Sequence, residues 1–418
     1  MQIKKAPGIE DIFPDKIDGW NFIIQTAKNN FGMYNFKEIV IPILEFTEVF
    51  TRSLGEETDI VSKEMFTFED RGGRSLTLRP EGTASVVRAY SENGDYNRLS
   101  VCKLFYCGQM FRAEKPQKGR LRQFNQFGAE LFGDDDPFYD FEIISMMNKI
   151  TCDLGIKEYK LLINSIGCEK CRPDYIKDLK NYYNDFKSDI CESCNKRLDT
   201  NPLRILDCKV EKCRELKHKS PKITNYLCDD CSSHHTELKK LLLKNNILFT
   251  EDPFLVRGLD YYCKTTFEFV TDNLGSQNAF AAGGRYNNLV EMFAGKKIPA
   301  VGFAAGIERL SLLLNETEIP KTGLDCFIVY GNNIESKEIA LDTVSLLRNN
   351  GISADIDPVS KGLKSQLKKA ERENAAHAII IGDDETAGKY FSVKNLLTRE
   401  QTSVPLNEIV NYLKSKKI

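Results

Sequence analysis

No apolar run in these 418 residues approaches the roughly 20 needed to cross a bilayer. The opening MQIKKAPGIEDIFPD holds no apolar stretch of signal-peptide length. No internal repeat or low-complexity tract interrupts the chain. Charge of one sign is not in excess: 58 Lys+Arg against 60 Asp+Glu leave −2, so a nucleic-acid partner has to be held by local basic patches. These absences exclude a membrane-spanning or repetitive protein and lead to the expectation of a cytoplasmic chain without a membrane partner. There the 13 cysteines stay reduced, and a cluster of them points to metal before disulfide. What remains is ordinary globular composition, 41% hydrophobic and 28% charged, with length for two or three domains, each with its own core.

The stretch Lys103 to Phe132, KLFYCGQMFRAEKPQKGRLRQFNQFGAELF, reads as two strands around a charged, exposed loop. Side chains alternate faces along a strand, so Arg122, Gln126 and Glu130 share a face with Phe124, Gly128 and Phe132. Polar groups on such a face are costly to bury without partners. Either the hairpin carries paired ions on its inner face, or that face receives a polar ligand, with Gly128 leaving room between Gln126 and Glu130.

Upstream, a helix is predicted over 15–31, with Trp20, Ile23, Ile24 and Ala27 at helical spacing. A strand over 36–44 follows, confined to an edge or a strand end by Pro42. Strands are expected at 65–68 and 75–78, then a helix over 84–90. Glu81 and Thr83 fall at a strand-to-helix junction, where a carboxylate either caps the helix or accepts from a ligand ammonium. Past an acidic-start helix over 134–154 and a strand over 161–166, residues 167–246 read as an irregular insertion with a helical stretch at 238–243. Residues 255–270 read as strand. From about 323 to 418, strands and helices alternate, implying a small α/β domain with a mainly parallel sheet.

Five stretches, in order, resemble the class II aminoacyl-tRNA synthetases in the form found in histidyl-tRNA synthetases. LTLRPEGT (76–83) resembles their amino-acid loop, FRAEKPQKGRLRQFNQFGAELFG (111–133) motif 2, and AVGFAAGIERL (300–310) motif 3. LVRGLDYY (255–262) and AAGGRYNNLV (281–290) resemble the elements that point to histidine. The early helix and proline-ended strand are similar to motif 1, which builds the dimer interface in that family. The resemblance implies an α+β fold, with a class II antiparallel sheet flanked by helices over residues 1–322. A Cys-rich insertion domain at 167–246 interrupts it, and an anticodon-binding α/β domain follows at 323–418. It further implies a homodimer that activates L-histidine with ATP and Mg²⁺ and transfers it to the 3′ end of tRNA(His), releasing AMP and pyrophosphate.

On that resemblance Arg112 grips the α-phosphate, with Arg257, the family's catalytic arginine, opposite it; a planar guanidinium fork suits both tasks. Arg309 stacks on adenine, with Glu114 near the adenine amine. Glu81, Thr83 and Gln126 take the ammonium of histidine, Glu130 and Tyr262 its imidazole, and Tyr261 and Tyr286 line the pocket. A carboxylate and a phenol on opposite edges of an imidazole read its donor and its acceptor. Gln117, Lys118 and Arg120 meet the acceptor end of the tRNA. Apart from the resemblance, Gly302 and Gly306 read as one turn apart in a helix leading to Arg309, a pattern of close packing. Ala113 and Asn125 depart from the family's commonest spelling, which touches only adenine packing. A non-catalytic paralogue, the regulatory subunit of ATP phosphoribosyltransferase, shares the fold, but typically lacks the C-terminal domain and an intact LVRGLDYY.

Cys168-x2-Cys171, Cys191-x2-Cys194, Cys208-x4-Cys213 and Cys228-x2-Cys231 fall in one segment, with His218, His234 and His235 nearby. This is ligand spacing for tetrahedral zinc; eight thiolates close two structural Zn²⁺ sites and four close one. A segment poor in apolar runs gains folding stability from metal. The alternative is that the thiols are small core residues. In the last domain, Lys361, Lys364, Lys368 and Lys369 form either a solvated face or an RNA-facing edge.

Overall fold

A computed structural model describes residues 3–55, 58–275, 278–359 and 362–416. Lys361 lies outside the described residues. The chain divides into two compact units, Met1–Ile319 and Pro320–Ile418.

The first unit is built on an eight-stranded sheet. Its spatial order is Lys37–Glu38, Cys102–Phe111, Gln123–Phe132, Ala300–Gly306, Ala279–Arg285, Cys263–Val270, Lys160–Ser165 and Thr250–Glu251. The inner six strands are antiparallel and the two short edge strands pair parallel. The long hairpin forms as the alternation predicts, with Cys102 opposite Phe132 and Phe111 opposite Gln123. Phe127, Ala129 and Leu131 enter the larger core, beneath the helices Pro14–Met33 and Pro137–Asp153. Phe124 and Phe132, on the opposite face, meet Tyr106, Met110 and the helix Thr83–Asn93. Phe31 stacks on Phe105 at 4.5 Å between centroids; burying such a ring contributes roughly 1.5–3 kcal/mol.

A second, three-stranded sheet orders Leu44–Phe46, Ser75–Leu78 and Phe66–Glu69. Its inward face is polar. Thr77 lies between the Thr47 and Thr67 hydroxyls, each at 2.9 Å, and buried Glu45 pairs with Arg88 at 2.6 Å. Cross-strand partners share a face, so Leu44, Leu78 and Phe66, with Phe46, Leu76 and Phe68, form the other side. On it Leu44, Phe46 and Phe68 are exposed. The strand expected over 36–44 is thus split at Pro42, and the buried Arg79 holds the break by donating to the carbonyls of Ile41 at 2.6 Å and Pro42 at 3.2 Å.

Three expectations are corrected. Gly302 and Gly306 lie on a strand, not a helix; the helix starts at Ile307. Ala300–Gly306 is hydrogen-bonded on both edges, and those two ladders outweigh the small-residue pattern. Residues 255–262 are irregular and the strand begins only at Cys263. The segment 167–246 is helical, with Arg172–Asp185, Glu192–Thr200, Glu211–Lys217 and Asp229–Lys244. Tyr175, Leu179 and Tyr183, four residues apart, anchor a core of its own, while Leu238 and Leu242 join the main core.

The second unit has a five-stranded sheet in the order Ala354–Ile356, Cys326–Tyr330, His377–Ile381, Tyr390–Asn395, Gln401–Pro405. The first three are parallel, as the alternation predicts; the last two form an antiparallel hairpin that the sequence pattern did not reveal. Lys364 and Lys368 are exposed, whereas Lys369 reaches Asp357 at 3.4 Å. Among the described residues no helix is long and apolar enough to cross a membrane.

Candidate active site

Glu130 is fully buried near the middle of the sheet. One carboxylate oxygen accepts from the Thr83 hydroxyl at 2.7 Å, and the other from the Tyr286 hydroxyl. Gly302 lies directly across the strand pair, and a Cβ there would sit 1.9 Å from the Glu130 carboxylate. Only glycine makes that space. Burial pushes the Glu130 carboxyl up to about 8, against the lowering effect of its two hydroxyl donors. Tyr261, Tyr262 and Tyr286 close the same end, with ring centroids 4.6 to 6.4 Å apart. Glu81 caps the helix, accepting from the Thr83 and Ala84 N–H groups, both at 2.7 Å. Each oxygen keeps a second lone pair for a ligand.

The gap expected at Gly128 is closed. Tyr106 pairs opposite it, and its ring lies against Gly128 and Gly82, where an added Cβ would come within 2.5 and 2.2 Å of the ring. The Tyr106 hydroxyl, the Gln126 side-chain oxygen and the Arg257 Nε are buried without a hydrogen-bond partner in the protein. Such atoms also occur elsewhere, on Tyr175, Tyr183 and Thr266 among others, so these three gain weight only from their neighbours: Tyr106 lies on the strand facing the one that carries Gln126, and Arg257 pairs with Glu268.

The arginines come from three separate stretches. Arg112 follows the strand Cys102–Phe111; its Nε donates to the Pro80 carbonyl at 2.9 Å and its guanidinium sits 5.2 Å from the Phe124 centroid. Arg257, in the irregular 255–262 segment, pairs with Glu268. Arg309 donates to the carbonyls of Gly119, at 3.2 Å, and Ala279. Burial lowers its pKa to about 10, with Arg120 and Arg112 adding repulsion and Glu114 and Glu268 opposing. Arg309 thus feels both Arg112 and Glu268, the partner of Arg257. A cavity of about 340 Å³ opens beside Arg309, lined among others by Lys118, Asp272 and Leu274. In the motif 2 loop, Gln117 and Arg120 exchange backbone hydrogen bonds at 3.0 and 2.8 Å, and Arg120 pairs with Glu114 at 2.7 Å. Gln117 and Lys118 are exposed.

The sequence reading missed several groups. Tyr106 was legible only through the hairpin register that sets it opposite Gly128. Glu268 carried no motif. Glu308 accepts from the backbone and side chain of Asn125 at 2.9 to 3.1 Å, which accounts for that departure from the family spelling. Arg285 in the GGRY stretch is fully buried against Asp140 and donates to the carbonyls of Asp134 and Asp136 at 2.9 and 3.0 Å. Burial works to raise the Asp140 carboxyl, but Arg285 and His234 outweigh it and hold it well below the usual range.

The eight cysteines form two clusters, Cys168, Cys171, Cys228, Cys231 and Cys191, Cys194, Cys208, Cys213, each with all sulfurs within 4.8 Å of one another. Nearest sulfurs are 3.7 to 3.9 Å apart. Thiolates ~2.3 Å from a zinc ion form a tetrahedron with edges of ~3.8 Å, so the donor set and its spacing fit that metal. Backbone N–H groups of Cys228 and Cys191 point to the sulfurs of Cys171 and Cys213, at 3.1 and 3.3 Å. The nearby histidines stand elsewhere: His234 at Asp140, His235 at Glu251, His218 against Phe254.

The sequence matches the family described as Histidyl-tRNA synthetase over residues 8–168 and 199–310, and that described as Anticodon binding domain over 325–416. A protein named histidine–tRNA ligase from Halothermothrix orenii is 47% identical over 412 residues, 98% of each chain. Another of that name, from Caldanaerobacter subterraneus subsp. tengcongensis, is 43% identical over 99% of this chain and all of its own. The crystal structure of apo S. aureus histidyl-tRNA synthetase is 37% identical, with a TM-score of 0.81, covering 99% of this chain and 100% of that one. The antiparallel sheet flanked by helices, with its long hairpin, is that of a class II aminoacyl-tRNA synthetase. Within that class, the chain belongs to the histidyl-tRNA synthetase family.

Proposed function

We propose that this chain joins L-histidine to tRNA(His) at a site formed by the residues around Glu130 together with Arg112, Arg257 and Arg309. The observation that carries the assignment of residues is Glu130, fully buried between the hydroxyls of Thr83 and Tyr286, with the Tyr261 and Tyr262 rings packed around Tyr286. The carboxylate of histidine attacks the α-phosphorus of ATP and pyrophosphate leaves; a terminal ribose hydroxyl of the tRNA then attacks the adenylate carbonyl and AMP leaves. Arg112 and Arg257 flank the α-phosphate, where charge grows in the first step. Arg309 exchanges two neutral carbonyl acceptors for phosphate oxygens, and charge-assisted bonds are about twice as strong. Glu114 and Glu268 supply hard oxygen donors suited to Mg²⁺, which neutralises polyphosphate charge when bound.

Glu130 and Tyr262 read the imidazole, while Glu81, Thr83 and Gln126 hold the ammonium and Tyr261 and Tyr286 wall the pocket. An N–H donated to Glu130 compensates the burial of its charge. Gln117, Lys118 and Arg120 contact the acceptor end. Residues 1–322 form the catalytic domain, 167–246 its insertion and 323–418 the anticodon-binding domain. The match to the anticodon-binding family speaks against the non-catalytic paralogue. Each cysteine cluster holds one structural Zn²⁺, whose role is to lock the helices that carry its ligands. The enzyme works in the cytoplasm.

The outward apolar face of Leu44, Phe46 and Phe68 supports a homodimer, because a polar inner face and an apolar outer face invert what a monomer's edge sheet requires. Phe46→Asp should turn a dimer into a monomer by light scattering; a wild-type monomer at micromolar concentration would remove the dimer. The function is tested by histidine-dependent pyrophosphate exchange and by charging of tRNA(His). Exchange with another amino acid, or none with histidine, would end the reading.

A further inference from the structure

We infer that the cluster of Cys168, Cys171, Cys228 and Cys231, here the inner of the two, is a metal-dependent brace for the histidine pocket, so that metal and histidine bind cooperatively. The inference rests on the zinc and histidine readings above. Tyr261 and Tyr262 sit in backbone that joins no strand until Cys263. Such a segment depends on bonds from outside it. Those bonds come from residues next to cluster cysteines. Arg172, which follows Cys171, donates to the backbone carbonyl of Tyr262 and, at 3.2 Å, to that of Ile166. Asp230, which precedes Cys231, pairs with the Lys264 ammonium at 3.0 Å, and Asp135 takes its other side at 2.5 Å.

Lys264 is a non-glycine residue at φ 47°, a left-handed conformation that needs support. Its N–H donates to the Gly167 carbonyl at 2.9 Å and its carbonyl accepts from Ile166 at 2.8 Å. Gly167 immediately precedes Cys168, and a Cβ on it would lie 2.7 Å from the Cys171 Cβ. Both halves of the inner cluster, the 168–171 pair and the 228–231 pair, therefore adjoin a side chain that reaches the stretch around Tyr262: Arg172 its backbone carbonyl, Asp230 the Lys264 ammonium two residues on. The outer cluster, Cys191, Cys194, Cys208 and Cys213, meets the loop further upstream: its cysteines share a core with Phe254 and Val256, and Asn201 donates to Asp260 at 2.7 Å. A metal that fixes the spacing of the two inner pairs fixes Arg172 and Asp230 relative to each other, and so the position of Tyr262. Arg172 is a positioning residue; it does not itself enter the pocket.

Linkage makes the effect reciprocal: whatever factor the metal adds to histidine affinity, histidine adds to metal affinity. The test uses the intact, zinc-loaded enzyme titrated with a chromogenic chelator. With saturating histidine, one of the two zinc ions per chain should be held roughly tenfold more tightly, the other unchanged, and ATP alone should have no such effect. Equal release with and without histidine overturns the brace while leaving zinc in place. A zinc-free enzyme overturns the zinc reading itself, and an enzyme with no histidine-dependent exchange overturns the function. In a second arm, Arg172→Ala should keep both zinc ions and raise the KM for histidine about tenfold, with the KM for ATP changing less than about twofold. Arg172→Lys should recover part of the loss. An unchanged histidine KM, or equal rises for both substrates, overturns the role of Arg172.

Discussion

Glu130 and Cys171 are both buried, and both stand in groups whose geometry decides what they can do, yet their surroundings differ. Glu130 is held by a strand hydrogen-bonded on both sides, with helices and apolar side chains packed on either face of the sheet. Its carboxylate could be removed and the sheet would stand. Cys171 belongs to a segment whose own core is a handful of side chains around Tyr175, Leu179 and Tyr183, interleaved with the thiols themselves. A small core of this sort falls short of the ordering entropy, and metal is the usual remedy. One region was built so that chemistry could be placed on a finished scaffold. In the other, the bonding chemistry is part of the scaffold.

The sharpest way to break that contrast is to remove the zinc proposed for the two cysteine clusters. Stripping zinc should forfeit folding energy on the order of 10 kcal/mol within the insertion. Proteolysis should then open 169–231 while the sheet strands stay protected; an insertion as resistant as before would erase the distinction. Next comes Glu130→Ala, which should lower histidine-dependent pyrophosphate exchange by ~10³-fold or more while nucleotide binding survives. Unchanged exchange would take Glu130 out of the pocket, and a variant that no longer folds would show that the sheet does depend on it.

A smaller effect follows from the Glu130 proton. Its carboxyl is raised from 4.5 to about 8, so the stability that proton contributes is complete below pH 4.5 and is lost as the pH rises to 8. The melting temperature of the ligand-free enzyme should fall by several degrees between pH 5 and pH 8.5, and Glu130→Gln should flatten the curve. Identical slopes in the two proteins would sink the assignment. The smallest expected change is at the exposed loop. Lys118→Ala should raise the KM for tRNA a few-fold and reduce the salt slope of tRNA binding by about one. A salt slope equal to that of the wild type would move the phosphate contact elsewhere.

Much of the fold was legible because its signals are local. Period-two alternation over 103–132 fixed the hairpin and assigned Gln126 and Glu130 to one face, and the acidic run from Asp134 marked a helix over 134–154 that the structure realises as Pro137–Asp153. The parallel half of the second unit was readable from alternating strand and helix patterns. Of the insertion's helices the last was read, as 238–243 within Asp229–Lys244; the earlier ones were not, although Tyr175, Leu179 and Tyr183 repeat at helical spacing, because charged residues and cysteines dilute the apolar pattern. The strand at Gly302 was misread for the opposite reason: small residues suit close packing in either geometry, and only the two neighbouring strands decide between them.

By itself the sequence determined which residue types are available and which share a strand face, since alternation and capping act over a few residues. It also carried the motifs that mark the family. Only the tertiary structure decided that Tyr106 fills the space at Gly128 and that Glu268 answers Arg257. It alone sorted eight cysteines into two sets of four, one of them beside the backbone of Tyr262. Those outcomes depend on the register between strands and on contacts between residues from 11 to 90 positions apart, where burial and electrostatic pairing act through space and leave no local trace.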